Sequence, residues 1–160
     1  MGVEIREARP DDWTAVAALL AELGRPDVLG GSGAEEHERA FEAYLDRPDT
    51  VALVAEDEGA IVGFVDMEYR SRLNFSSPQA WIPDLIVTER ARSRGAGRAL
   101  LAAGLERAHT HGCFALTLES ATWRKRAHAF YEREGMKHVS ASFAKVLREG
   151  EWPPQPQEEG

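Results

Sequence analysis

Apolar residues recur along the chain in two periods, and these periods predict its strands and helices. Alternating or continuous β-branched and aliphatic runs predict strands, whereas apolar residues three and four positions apart predict helices. The predicted strands are residues 3–8, 51–55, 61–69, 79–88, 113–119 and 136–147. The predicted helices are residues 11–23, 34–45, a segment that carries Leu100, Leu101 and Leu105, and residues 124–134. The order is therefore β-α-α-β-β-β-α-β-α-β, of the α+β (α/β) class.

Two features of the predicted strands bear on a ligand site. The acidic, Gly-containing segment 56–59 separates two strand patterns, so we expect an antiparallel hairpin there. Pro83 stands inside the next strand pattern and cannot donate a hydrogen bond to a neighbouring strand. We therefore expect a bulge or splay at Pro83, which would leave backbone groups free to bind the amides of a ligand.

The strand pattern that follows Pro83 leads into a helix through a Gly-rich turn. It ends in Leu85-Ile86-Val87, and the turn reads Arg92-Ser93-Arg94-Gly95-Ala96-Gly97. The first N–H groups of a helix have no partner within it and point at whatever occupies such a turn. Gly95 and Gly97 lack a Cβ atom, so phosphate groups can approach the backbone closely. Four arginines flank the turn, namely Arg90, Arg92, Arg94 and Arg98. The pattern predicts a pyrophosphate-binding turn.

Two other phosphate-binding loops fit this turn poorly. No Gly-Lys-Ser/Thr follows the glycines, so the P-loop is excluded. The glycine spacing differs from Gly-x-Gly-x-x-Gly, and no acidic residue follows at a dinucleotide-binding distance, so a Rossmann site is not favoured. The alternative that stays open is a Gly-rich turn surrounded by solvated arginines.

The turn and a second segment together resemble the GCN5-related N-acetyltransferases (GNAT). The turn is similar to their Arg/Gln-x-x-Gly-x-Gly/Ala signature for acetyl-coenzyme A. The second segment runs Ala127-His128-Ala129-Phe130-Tyr131-Glu132-Arg133-Glu134-Gly135-Met136 and resembles the family's Ala-x-x-Phe-Tyr-x-x-x-Gly-Phe. Arg124 stands where members often carry Asn, and Arg124 with His128 matches a subset that looks like aminoalkylphosphonate acetyltransferases.

The resemblance covers residues 3–147 and carries expectations for the fold and the coenzyme site. It implies a single GNAT domain over residues 1–148, with a mixed central β-sheet flanked by helices and with acetyl-CoA as cosubstrate. The expected coenzyme-binding residues are Leu85, Ile86, Val87, Arg92, Ser93, Arg94, Gly95, Ala96, Gly97, Arg98, Arg124 and His128.

Acetyl transfer from a thioester to an amine requires a base, because the amine of a lysine-like acceptor has a pKa of about 10 and arrives protonated. Asp84, Glu119 and Glu68 are candidates for this base, and Glu119 matches the base position of acetyltransferases that modify a protein's N-terminal amine. Glu36, in an acidic helix, and Glu68, at the end of the hairpin, are candidates for binding the acceptor. Each of these carboxylates could equally be an ordinary surface charge.

Tyr131 occupies the position that the family uses for a general acid. A phenol with a pKa of about 10 can protonate a departing coenzyme thiolate of comparable basicity. The alternative is an aromatic core residue on an amphipathic helix. Phe130 is adjacent and cannot share one face with Tyr131, which favours the acid role.

Composition limits the partners that we expect. Nineteen basic and twenty-seven acidic residues give the 160-residue chain a net charge of −8, which argues against nucleic acid. No apolar run is long enough to span a membrane, and no metal is expected. Cys113 is the only cysteine, so we expect a reducing, cytoplasmic setting. Residues 149–160 are Pro-rich and acidic and are expected to be disordered.

These expectations leave three functions open. The first is acetylation of a primary amine of a small molecule by direct transfer. The second is acetylation of a protein or peptide N-terminus or of a lysine, and the third is a non-catalytic sensor that binds coenzyme A. The family resemblance also implies a homodimer, in which the last predicted strand, with Phe143 and Val146, would pair across the interface.

Overall fold

The computed structural model describes residues 2–148, and the acidic segment 149–160 lies outside the described residues. The strands are β1 Glu4–Glu7, β2 Thr50–Asp57, β3 Ala60–Arg70, β4 Gln79–Val87 and β5 Ala115–Leu118. The α-helices are α1 Trp13–Glu22, α2 Ala34–Asp46, α3 Ala96–Thr110 and α4 Lys125–Arg133. The described residues divide into two compact units, one up to Leu118 with the sheet and α1 to α3, and one from Glu119 onward with α4. No helix over the described residues is long and apolar enough to cross a membrane.

The five strands form one mixed sheet in the order β1-β2-β3-β4-β5. The first three pairs are antiparallel and β4 runs parallel to β5, which confirms the predicted mixed sheet. The predicted hairpin of β2 and β3 is also present. Glu58 (φ 51°) and Gly59 (φ 81°) form its two-residue turn, and positive φ at both positions matches the right-handed twist of the strands.

The predicted irregularity at Pro83 is present in β4. Asp66 of β3 lies opposite Asp84, and Glu68 lies opposite Trp81, so β4 carries one more residue than β3 over this interval. The pairing of β4 with β5 ends at Ile82 and Leu118. Residues 83–87 of β4 therefore pair with β3 alone, and alternate backbone groups on their other edge face no strand of the described chain.

Helices cover both faces of the sheet in the first unit. On one face, Val16 and Leu19 of α1 and Phe41 of α2 pack with the strand residues Ala52, Val54, Phe64 and Ile86. On the other face lies α3, whose Leu100 is fully buried. A Cβ atom at Gly63 of β3 would lie 2.9 Å from Leu100 Cδ1 and 3.2 Å from the carbonyl oxygen of Ile86. Glycine at this position therefore lets the start of α3 pack closely on β3.

The predicted strand over residues 136–147 is wrong, because the described residues after α4 form no strand. Val139, Phe143 and Leu147 are 80%, 94% and 92% exposed. A β-branched and aromatic pattern becomes a strand only when a neighbour pairs its backbone and its apolar side chains are buried. Neither condition holds for this segment within one described chain.

Candidate functional site

The turn between β4 and α3 presents a run of backbone N–H groups without acceptors. The N–H groups of residues 93–97 have no hydrogen-bond partner among the residues that the structure describes. Ser93 (φ 72°) and Gly95 (φ 85°) have left-handed backbone conformations, and Gly95 is the N-cap of α3. Consecutive amides in such conformations form a concavity that binds anions, and the helix dipole adds positive potential. The turn therefore fits a pyrophosphate group.

Glycine is favoured at position 95 by the left-handed backbone conformation and not by a lack of space for a side chain. A Cβ atom built there has no heavy atom within 4 Å, so it would project into open space beside the free amides. A side chain at residue 95 would strain the left-handed backbone and would also occupy the space where a phosphate group approaches.

Contacts from three elements hold the two sides of the turn. The N–H of Thr88 donates to the carbonyl oxygen of Val62 at 2.8 Å and so continues the pairing of β3 with β4. The Oε1 atom of Glu22, at the end of α1, accepts hydrogen bonds from the N–H of Glu89 at 2.8 Å and from Thr88 Oγ1 at 3.2 Å. The close packing of Leu100 on Gly63 fixes the start of α3 on the far side.

Among the four arginines that flank the turn, Arg94 forms an ion pair with a buried carboxylate. All four are exposed, and Arg92 Nε donates to the carbonyl oxygen of Val87 at 3.4 Å. Arg94 Nη1 instead donates to Asp57 Oδ2 at 2.8 Å, and the Asp57 side chain is only 4% exposed. The guanidinium of Arg94 is thus tied to the β2–β3 hairpin, which the sequence did not indicate.

A carboxylate pair lies at the bulge of β4. The N–H of Asp84 donates to Asp66 Oδ1 at 3.0 Å across the β3–β4 pairing. Arg25, which follows α1, donates from Nε to Asp84 Oδ1 at 2.8 Å and from Nη2 to the carbonyl oxygen of Pro83 at 3.3 Å. Arg25 therefore pairs with Asp84, and Asp66 is joined to the same residue through its backbone N–H, in a part-buried site.

The surroundings of this pair favour protonated groups. Burial, and then the charge of Asp84, raise the pKa of Asp66 well above its ordinary value. Asp66 is half-buried by exposed area, yet the protein atoms packed around its carboxyl make desolvation the largest cause. Burial also raises the pKa of Tyr44, and the charges of Asp66 and Glu68 add to the effect. A carboxyl with a raised pKa exchanges its proton closer to neutral pH, as a general base requires.

The two candidate acceptor residues lie in different surroundings. Glu68 is on β3, two residues beyond Asp66, and its Oε1 accepts a hydrogen bond from Arg47 Nη2 at 3.4 Å. Glu36 is exposed in the first turn of α2. Within residues 2–148, the hydrogen bonds and ion pair that hold Asp66 and Asp84 do not involve Glu36.

The second unit holds the remaining predicted site residues. The helix predicted over residues 124–134 is present as α4, with Arg124 at its N-cap, and Gly135 (φ 90°) ends it. His128 donates its backbone N–H to the carbonyl oxygen of Arg124 at 3.0 Å. Tyr131 is half-buried, and burial raises the pKa of its phenol while the positive charge of Arg124 opposes the rise. Glu119 is exposed and follows β5 directly.

The sequence did not single out four residues that the structure brings into the site, namely Asp66, Tyr44, Arg25 and Asp57. Asp66 carried a signal, because it is the one charged residue in the apolar run of residues 61–67. Asp57 precedes the Glu58-Gly59 turn, where an acidic residue is ordinary, so no local pattern separates it from a solvated turn residue.

Comparison with known proteins agrees with this geometry. Residues 13–136 match the family model described as the acetyltransferase (GNAT) family. The chain is 31% identical over 134 residues to an uncharacterized N-acetyltransferase of Bacillus subtilis (strain 168), YhfO, with 83% of this chain and 89% of that protein covered. It is 29% identical over 144 residues to the aminoalkylphosphonate N-acetyltransferase of Salmonella typhimurium (strain LT2), with 90% and 91% covered.

A solved structure shows the same fold. The glucosamine-6-phosphate N-acetyltransferase of Arabidopsis thaliana superposes with a TM-score of 0.79 at 24% identity, over 92% of this chain and 100% of that chain. The matched family model spans most of the described residues, including the turn of residues 93–97 and Tyr131. The chain therefore belongs to the acetyltransferase (GNAT) family and is an acyltransferase that uses acetyl-CoA.

Proposed function

We propose that the protein transfers the acetyl group of acetyl-CoA to a primary amine of a small molecule, directly and within a complex that holds both substrates. The observation that carries this proposal is the carboxylate pair of Asp66 and Asp84, part-buried at the bulge of β4. An ammonium group is the natural partner of such a pair. Asp84 lies on β4, the strand that precedes the turn of residues 93–97, and Asp66 lies opposite it on β3, so an amine bound at the pair would approach the proposed coenzyme site.

The coenzyme site is assigned to the free backbone groups of the first unit. The N–H groups of residues 93–97 would hold the pyrophosphate, and the unpaired edge of residues 83–87 would bind the amides of the pantetheine arm. Arg92 and Arg98 add positive charge beside the turn, and Arg124 and His128 are the candidates in the second unit. Bound there, acetyl-CoA supplies an acetyl group activated as a thioester.

The base is assigned to the Asp66–Asp84 pair, acting directly or through a water. The raised pKa of Asp66 supports this role, because a carboxyl with an ordinary pKa is a weak base toward an ammonium group at neutral pH. Asp84 is held by Arg25, which fixes the orientation of its carboxylate. Glu119 remains the alternative base in the second unit.

The acid is assigned to Tyr131. Its phenol keeps its proton at neutral pH, because burial raises a pKa that is already about 10 in water. In this role Tyr131 delivers the phenolic proton to the departing thiolate. The coenzyme then leaves with a neutral thiol and not a thiolate.

The name of one relative supports a small acceptor. The Salmonella typhimurium protein is named for aminoalkylphosphonates, which are small primary amines, and its match extends over 90% of this chain. We propose that this chain acts on an acceptor of the same general size. We further propose a homodimer, as the family resemblance implies. We also propose a reducing, cytoplasmic setting, since Cys113 is a free thiol and the chain has no second cysteine.

An amine panel tests the proposed function. Release of free coenzyme thiol is measured with aminoalkylphosphonates, amino alcohols, diamines and aminoglycosides, and in parallel with peptides that offer a free N-terminus or a lysine. We expect kcat/KM to be highest for a small amine. Higher kcat/KM for a peptide would favour a protein acetyltransferase, and tight coenzyme binding without turnover of any amine would favour a non-catalytic sensor.

A further inference from the structure

Asp57 is a buried carboxylate that the proposed chemistry does not use. It is the last residue of β2, its side chain is 4% exposed, and its Oδ2 accepts the hydrogen bond from Arg94 Nη1 at 2.8 Å. Its Oδ1 is buried and has no hydrogen-bond partner among the described residues. Arg94 reaches it from the turn and is itself 57% exposed. The pair thus joins a buried group of the hairpin to an exposed residue of the turn.

The two ends of this pair differ in how firmly the backbone holds them. Asp57 lies opposite Ala60 at the closed end of the β2–β3 hairpin, so its position is set by the sheet. Arg94 lies between Ser93 and Gly95, which both have left-handed backbone conformations. Such a conformation at Ser93 carries strain and persists only when surrounding contacts enforce it. The ion pair is the side-chain contact that links residue 94 to the sheet.

The cost of leaving Asp57 without a cation favours the ion pair with Arg94. A buried carboxylate with one unsatisfied oxygen is strongly destabilised when its only cation leaves, because water cannot replace the lost contact. This cost favours the Arg94–Asp57 pair over release of Arg94 to a ligand phosphate. Its backbone N–H still belongs to the run of free amides in residues 93–97.

We propose that Asp57 is a positioning residue for the coenzyme, which acts through Arg94 to hold the N–H groups of residues 93–97 directed toward one pyrophosphate group. The Arg94 side chain then serves as a brace and not as a phosphate ligand. This inference rests on the proposed coenzyme site, and it assigns a function to a residue outside the acetyltransferase signature.

Binding of two ligands distinguishes a role of Asp57 in positioning the turn from a general role in folding. Coenzyme A carries the pyrophosphate, whereas pantetheine is the same arm without nucleotide and pyrophosphate. Dissociation constants are measured by calorimetric titration for coenzyme A and by NMR titration for pantetheine. We expect Asp57→Asn to weaken coenzyme A about 10-fold or more, because the binding amides lose their alignment, and to leave pantetheine unchanged.

Three further variants define the comparison. Glu56→Gln is the matched control, because Glu56 is the neighbouring carboxylate and pairs with Arg6, away from the turn, so its coenzyme affinity should equal that of the parent. Arg94→Gln and the double variant Asp57→Asn/Arg94→Gln should each weaken coenzyme A by the same factor as Asp57→Asn. Two changes that break one contact give one effect and not a sum.

Each other result overturns the inference. Unchanged coenzyme affinity in Asp57→Asn, or equal losses for coenzyme A and pantetheine, would remove the positioning role. A loss in Arg94→Gln without one in Asp57→Asn would make Arg94 a direct phosphate ligand.

A separate measurement covers the case in which Asp57→Asn does not fold. Backbone ¹⁵N order parameters of residues 93–97 are measured in the ligand-free parent and in Arg94→Gln. A brace requires lower order parameters in the variant, and unchanged values contradict it. Failure of the parent itself to bind coenzyme A would instead overturn the proposed coenzyme site.

Discussion

At the scale of single residues, the proposed chemistry uses two groups whose pKa values are raised by the fold. Asp66 and Tyr131 both have raised pKa values with desolvation as the first cause, but they serve opposite roles in the proposed reaction. For a carboxyl, a rise brings the proton exchange closer to neutral pH, where a base is useful. For a phenol, a raised pKa keeps the hydroxyl protonated at neutral pH, as a general acid requires.

The raised pKa of Asp66 makes a stability prediction with a definite sign. Below its ordinary pKa of 3.8, Asp66 is protonated in both the folded and the unfolded chain. Between that value and the raised folded pKa, the unfolded chain binds fewer protons at this residue, so the free energy of unfolding falls as pH rises. We expect Asp66→Asn, which keeps the acceptor for the N–H of Asp84, to be more stable than the parent at pH 7.

Urea unfolding of parent and variant at pH 4 and pH 7 checks this expectation. The gain should be largest at pH 7 and should shrink at pH 4. Asp49→Asn is a control of opposite sign, because Arg47 lowers the pKa of Asp49 and its ionised form is favoured on folding. An Asp66→Asn variant that is equally or less stable than the parent at pH 7 would contradict the assignment.

A second prediction at this scale concerns Tyr131. Tyr131→Phe keeps the ring and removes only the phenolic hydroxyl. If Tyr131 is the general acid, coenzyme and acceptor binding should survive while kcat falls by about 10²- to 10⁴-fold, and the high-pH limb of the rate profile should move.

The same variant tests the alternative. If Tyr131 only packs, loss of its hydroxyl should change stability by about 1 kcal/mol and leave kcat nearly unchanged. Phe130→Leu, on the preceding residue, controls for a general disturbance of α4. A Tyr131→Phe variant with normal kcat would mean that water or another residue supplies the proton.

At the scale of elements, the parts that the sequence predicts well are those with local causes. The Glu58-Gly59 turn, the bulge at Pro83 and the end of α4 at Gly135 each follow from the backbone preference of one or two residues. Asp66 meets Asp84 only after β3 and β4 pair in one register, and Arg94 meets Asp57 across 37 positions. Such contacts depend on the assembled sheet, which no short pattern encodes. The strand predicted over residues 136–147 is absent for a related reason. A strand needs a neighbouring strand to pair with, and the sequence pattern of the segment alone does not provide one.

The turn of residues 93–97 gives a prediction about Gly97. Gly97→Val adds a branched side chain beside the free amides, at the start of α3, so it should block the approach of a phosphate group. We expect coenzyme affinity to fall about 100-fold or more, while stability falls by less than about 1 kcal/mol. Ala102→Val, at an exposed position of the same helix, is the matched control for helix propensity. A folded Gly97→Val protein with unchanged coenzyme affinity, measured by calorimetric titration, would refute the site.

The contact of α3 with β3 gives a prediction about Gly63. A Cβ atom there would lie 2.9 Å from Leu100 Cδ1, 3.2 Å from the carbonyl oxygen of Ile86 and 3.3 Å from Val87 Cγ2. The leucine can move, but the backbone oxygen cannot, so we expect Gly63→Ala to lower the free energy of unfolding by about 1–3 kcal/mol. Gly31→Ala, in open space, should change it little. Equal stability of the two variants in urea would show that α3 shifts without cost.

At the scale of the whole molecule, several elements of the first unit contact β4 or the residues that follow it. Glu22 of α1 holds the N–H of Glu89 just beyond β4, Arg25 holds Asp84 on it, and Asp66 faces it from β3. The same strand carries Asp84 of the carboxylate pair at its bulge and is followed along the chain by the free amides of the turn. The proposed acceptor site and the proposed coenzyme site both border this strand, which suits a direct transfer between two bound substrates.

The exposed segment after α4 carries the prediction of a homodimer. Phe143 and Leu147 are 94% and 92% exposed, and full burial of one such side chain contributes about 1.5–3 kcal/mol. If a second copy pairs with residues 136–147, the backbone groups of this segment gain partners and its apolar side chains leave water. Light scattering at micromolar concentration should then report twice the 17.7 kDa mass of the chain. Phe143→Asp should shift the protein toward monomer by about 10-fold or more in dissociation constant, whereas Ser140→Asp, with the same added charge on the same segment, should shift it less. A parent protein that stays at the mass of one chain at high concentration would refute the dimer and leave the segment without a partner copy.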